Sequence, residues 1–139
     1  MLNLYSFAPE ILILTLILST ITLGLINKGS SITLNLIGFT ALTFFIIFKG
    51  SSFYSFSNLS DNSINLILLS KIILSIGSGI FILLVKRSLK NENIFRYEYI
   101  LFILFAVLGS FILISSDNFL TAFIGLELQS LSLYLMAAF

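Results

Sequence analysis

Long apolar runs broken by short polar clusters dominate this chain, with no strand-like alternation and no fixed-period repeat. A bilayer core about 30 Å thick needs roughly 20 residues of helix, and shorter or longer spans adjust by tilt. Five stretches meet that test, at about residues 9–26, 33–48, 64–85, 98–115 and 119–139. The first opens on Pro9 and Glu10, where proline costs no hydrogen bond and an acid complements the helix N-terminus, and it stops at Asn27-Lys28-Gly29-Ser30. The second ends at Lys49-Gly50, before a Ser-rich, aromatic loop that runs to Asp61. The fourth follows the most charged segment, 86–98, and closes at Ser115-Ser116-Asp117-Asn118, a turn that also caps the fifth helix. The pattern predicts an all-α membrane protein of about five transmembrane helices, forming a single membrane unit over 1–139.

Composition narrows the chemistry. Of 139 residues 58% are hydrophobic and 9% charged, against roughly 25% charged in soluble domains. Absent cysteine removes disulfides, thiolate metal sites and Cys nucleophiles, and absent histidine removes the commonest metal ligand and general base. A net charge of +1 gives no basic field, so nucleic-acid binding has no support. The N-terminus lacks a basic region before its apolar stretch and a small-residue cleavage signature after it, and reads as a retained helix, neither signal peptide nor import presequence. The Phe-, Ile-, Leu-, Ser- and Asn-rich usage points to AT-rich coding, as in an organelle genome.

Loop charges set an expected orientation. With five spans, Lys28, Lys86, Arg87, Lys90 and Arg96 fall on one side and Lys49 on the other, which turns the N-terminus outward and the C-terminus inward.

Two ionisable residues fall inside spans, where a charge is expensive and a functional role is the default reading. Lys71 lies about two turns into the third helix, where its long side chain can snorkel to the outer surface; an anchor or a structural ion pair accounts for it as well as a proton path does. Glu127 lies near the middle of the fifth span, too deep to reach either headgroup layer, and is expected to be buried in protein. Thr121, Gly125, Gln129 and Ser132 form one small, polar stripe, and Ser130 and Tyr134 follow Glu127 along an adjacent one. A carboxylate held between burial, which disfavours its charge, and a cation, which favours it, can exchange a proton. The bland reading is a neutral Glu bonded to a neighbouring helix. Glu10, Glu92, Glu98 and Asp117 sit near helix ends, where solvation accounts for them. Gly77 and Gly79 in IGSG, and Gly109, are read as helix-packing positions; the GSG triplet has neither the strand nor the spacing of a phosphate loop.

Residues 97–139, YEYILFILFAVLGSFILISSDNFLTAFIGLELQSLSLYLMAAF, closely resemble the antiporter-like subunit 2 of respiratory complex I, NADH:ubiquinone oxidoreductase chain 2. LELQSLSLYLMAAF, 126–139, is the most specific part. The Pro9-Glu10 start, Asp61 and SKIILSIGSGIFILLV with Lys71 extend the resemblance over the whole chain.

The resemblance implies the N-terminal part of the antiporter-like fold and places Glu127 on a charged axis that conducts protons, with Gln129, Ser130, Tyr134 and Lys71 as possible extensions of the path. It implies a subunit of a proton-translocating NADH:ubiquinone reductase with no independent catalysis. No cofactor is expected on this chain, since NADH, FMN, iron–sulfur clusters and ubiquinone would sit elsewhere in the complex. The family's further helices, including a lysine that pairs with this glutamate, do not follow Phe139, so a companion chain from a split gene is expected to supply them. Other expected partners are membrane-arm subunits and lipids, in the mitochondrial inner membrane, with the N-terminus toward the intermembrane space and the C-terminus toward the matrix. Rival readings are a scaffold of the membrane arm without conduction, and an antiporter-like subunit of a hydrogenase or cation/proton antiporter.

Overall fold

The computed structural model describes residues 8–26, 30–54, 61–91 and 97–138. They form five helices and no strand: α1 (Ala8–Ile26), α2 (Ser30–Tyr54), α3 (Asp61–Asn91), α4 (Tyr97–Ile114) and α5 (Phe119–Ala138). Three helices are long and apolar enough to cross a membrane, over Ala8–Leu25, Asn65–Val85 and Phe119–Ala138, while the apolar stretches Leu34–Ile47 and Glu98–Ile114 are shorter. Residues 27–29, the stretch 92–96 with Glu92 and Arg96, and Phe139 lie outside the described residues.

Two helices outrun the apolar segments that predict them. α2 continues through Lys49 and Gly50 to Tyr54, where a loop is expected, and α3 begins at Asp61 and continues through Lys86 to Asn91. An apolar run measures the thickness of hydrocarbon to be crossed, whereas backbone hydrogen bonding carries a helix on into polar sequence.

The buried positions of α1, α2 and α3 form single stripes at alternating steps of three and four: Glu10, Ile13, Ile17, Thr20 and Gly24; Asn35, Phe39, Leu42 and Ile46; Lys71, Ser75, Ser78 and Ile82. That is the seam of helices packed nearly parallel or antiparallel. α4 is buried more widely and supplies six of the twelve core apolar residues: Ile100, Ile103, Leu104, Val107, Leu108 and Phe111.

α1 packs on α2 and α4, and α3 packs on the same two helices, while α1 and α3 make no backbone approach to each other among the described residues. The four therefore form a bundle with α1 and α3 on one diagonal. α5 lies outside it, and among the described elements its backbone approaches α4 only.

Hydroxyl groups in the helices are satisfied locally. Thr15, Ser19, Thr20 and Thr22 in α1 each donate to the carbonyl three residues earlier at 2.7–3.0 Å, and Ser110 in α4 donates to Ala106 O at 2.9 Å. Such back-bonding pairs these Ser and Thr hydroxyl hydrogens within their own helices and lets a Ser/Thr-rich sequence form membrane helices.

Candidate functional site

The buried ionisable groups of the chain meet where α1, α3 and α4 converge. Pro9 and Glu10 in the first turn of α1 are both buried, Glu10 with 4% exposure. Across the diagonal, Lys71 is wholly buried and its Nζ stands 2.6 Å from Glu10 Oε1. Ser115, just past the end of α4, donates its hydroxyl to the same oxygen at 2.6 Å. The ammonium also stands over the Phe111 ring, 5.7 Å from its centroid, a cation–π contact with α4. Glu10 Oε2 is buried without a hydrogen-bond partner among the described residues.

Two sequence expectations are corrected here. Glu10 is not an exposed helix-end acid: the first turn of α1 faces inward, and the Lys71 ammonium stands against its carboxylate. Lys71 does not snorkel to the surface. Its stripe, shared with Ser75, Ser78 and Ile82, points into the bundle, where Lys71 forms an ion pair with Glu10. The informative signal was the spacing of polar residues in α3, where 71, 75 and 78 share one face.

α5 divides into two faces. Gly125 and Ser132 are buried toward α4, and Gly109 of α4 comes so close that an added Cβ would stand 2.7 Å from both Gly125 O and Gln129 N. Gln129 therefore belongs to the packing seam. Glu127, two residues on from Gly125 and roughly 200° round the helix, is exposed. Tyr134 shares that side with 70% exposure, and Ser130 at its edge donates to Leu126 O at 2.7 Å. Within this chain Glu127 is thus uncovered rather than buried, because the bundle reaches only the opposite face of α5.

The structure gathers Glu127, Ser130 and Tyr134 on the outward side of α5 and sets Gln129 against α4. It does not bring Lys71 to them: among the described residues the backbone of α3 makes no close approach to α5, and Lys71 is paired with Glu10 instead. Of the expected packing glycines, Gly109 is confirmed, and a Cβ on Gly79 would meet Phe39 Cβ at 3.8 Å. A Cβ on Gly77 would meet nothing within 4 Å; the residue lines an apolar groove of about 400 Å³ walled by α3, α4 and α5.

The chain is similar to known proteins along nearly its whole length. NADH-quinone oxidoreductase subunit N of Pelagibacter ubique is 37% identical over 99% of this chain and 30% of its own length. The chain belongs to the subunit N family. Subunit N of Gluconacetobacter diazotrophicus is 29% identical over 94% of the chain and 28% of that protein, and subunit N of Paramagnetospirillum magneticum is 49% identical over 37% of the chain and 10% of that protein. The chain thus spans less than a third of the length of these subunit N relatives, which are bacterial. No family model matches it, and no solved structure gives a significant match.

Proposed function

We propose that this chain forms part of the proton-translocating membrane arm of NADH-quinone oxidoreductase and presents Glu127 to a proton half-channel that further helices complete. One observation carries the reading: in a chain similar to subunit N, α5 touches the bundle on one side and holds a carboxylate out on the other. A carboxylate that deep in hydrocarbon requires protein or water around it. The covering helices belong to a companion chain, as expected of a split subunit, or to a longer form of this one. Ser130 and Tyr134 flank Glu127 and extend its path with ordered water; the Gln129 backbone lies against α4, and Lys71 is paired with Glu10.

In this reading electrons pass from NADH to quinone in other subunits, and the chain itself holds no nicotinamide, flavin, iron–sulfur cluster or quinone. A cation supplied by the covering helices faces Glu127 across a dry interior, where charges are little screened. The N-terminus faces outward, as the loop charges at Lys28, Lys86, Arg87, Lys90 and Arg96 support. A mitochondrial inner membrane is supported by the amino-acid usage alone, and the relatives named above are bacterial.

A second reading, a brace of the membrane arm without conduction, is favoured by the engagement of Lys71 with Glu10 rather than with Glu127. The Glu127→Gln variant separates the two. Conduction requires that the complex assemble normally while protons moved per NADH oxidised fall; an unchanged stoichiometry leaves the scaffold.

A further inference from the structure

We infer that Glu10, Lys71 and Ser115 act together as a buried polar brace that fixes the α4–α5 corner and so positions the helix carrying Glu127. The positioning part rests on the conduction reading above; the brace itself does not.

Three helices meet at one atom. Glu10 Oε1 of α1 receives the ammonium of Lys71 from α3 and the hydroxyl of Ser115 from the end of α4, each at 2.6 Å. α1 and α3 lie on the diagonal of the bundle, with no backbone approach among the described residues, so this tie crosses the core rather than reinforcing an existing seam. Apolar contact already joins each of them to α2 and α4. The ion pair adds a constraint that those seams do not supply, along the line from α1 to α3.

Its third member lies at the corner. Ser115 follows Ile114, the last residue of α4, and the turn 115–118 leads straight into α5 at Phe119. Ser115 N–H donates to Phe111 O at 3.1 Å, and Phe111 is the ring under the Lys71 ammonium. The last turn of α4 is therefore held by its hydroxyl on Glu10 and by its aromatic face on Lys71. Because the backbone of α5 approaches α4 and no other described helix, the direction in which α5 leaves this corner acts together with the Gly109–Gly125 seam to set where Glu127 stands.

The lever is short but sufficient. Glu127 lies eight residues beyond Phe119, about 12 Å along the helix, so a tilt of about 5° at the corner moves it by about 1 Å. A misplacement of that size can cost about a hundredfold in a proton-transfer or other geometry-dependent step.

Hydrogen–deuterium exchange on the assembled complex, read at peptides covering 113–122, tests the brace. Ser115→Ala removes one donor and leaves the ion pair in place. Exchange at the corner should rise on the order of tenfold, as expected for loss of a hydrogen bond to a charged group, while peptides within α2 stay unchanged. Protons moved per NADH oxidised should fall with the amount of assembled complex constant. The paired variant Glu10→Leu with Lys71→Met leaves no uncompensated charge, so it should assemble and show the same loosened corner.

Corner exchange at the wild-type rate in Ser115→Ala overturns the brace, as does accelerated exchange spread evenly over every helix. If Glu127→Gln pumps normally while Ser115→Ala loosens the corner, the conduction reading fails and the brace stands. If Glu127→Gln pumps poorly while the corner is indifferent to Ser115→Ala, the brace fails and conduction stands.

Discussion

Gly109 and Gly125 close the seam between α4 and α5 on two hydrogen atoms: a Cβ on Gly109 would stand 2.7 Å from Gly125 O, and one on Gly125 would stand 2.9 Å from Gly109 O. Both obstacles are backbone atoms, which cannot rotate away as a side-chain tip can. This mutual contact brings the backbones of α4 and α5 into direct apposition.

Gly109→Ala or Gly125→Ala should therefore force the helices apart, at a cost of about 1–3 kcal/mol for an overpacked site. Thermal unfolding of the chain in detergent, together with its abundance in the membrane, checks this. An unchanged midpoint in both variants would show that the seam has room to give.

The five-helix, all-α reading was legible because apolar runs of membrane length are the strongest signal a sequence carries. Helix ends were less so: nothing in Lys49-Gly50 or Lys86-Arg87 stops backbone hydrogen bonding, and α2 and α3 run past both. The Glu10–Lys71 contact was missed because its members are 61 residues apart and each has a local explanation, a helix N-terminus for one and snorkelling for the other. Periodicity offered a clue. In helices that are apolar all round, the buried face is marked by polar residues, and Lys71, Ser75 and Ser78 share a stripe as Glu10 and Thr20 do. The exposure of Glu127 could not be read from one chain, since depth in the membrane says nothing about which neighbour covers a given face.

Lys71→Met alone leaves the Glu10 carboxylate buried with Ser115 as its remaining described donor. Breaking one side of a buried pair costs about 3–5 kcal/mol, whereas replacing both sides with apolar groups is often close to neutral. The double variant Glu10→Leu with Lys71→Met should thus be more stable than Lys71→Met, a non-additivity measurable in a double-mutant cycle. Additive losses would mean that the two residues do not sense each other.

Glu127→Ala should behave in the opposite way to Lys71→Met. Its side chain is exposed and no described residue depends on it, so unfolding of the isolated chain should change by no more than about 0.5 kcal/mol. Denaturation in detergent measures this without reference to pumping. A large loss would assign Glu127 a role in the fold of the chain itself.

The same substitution should have opposite effects at two glycines. At Gly77 an added Cβ meets nothing within 4 Å, because the residue faces the groove between α3, α4 and α5. Alanine there gains helix propensity, up to about 1 kcal/mol, without any packing cost. Gly77→Ala should therefore raise the unfolding midpoint of the isolated chain while Gly109→Ala lowers it. Steric cost decides the sign at Gly109, and backbone entropy decides it at Gly77. In the assembled complex the comparison also reports on the groove: if Gly77→Ala stabilises the isolated chain but lowers its incorporation, a neighbouring helix or lipid chain fills that space and needs the glycine to approach.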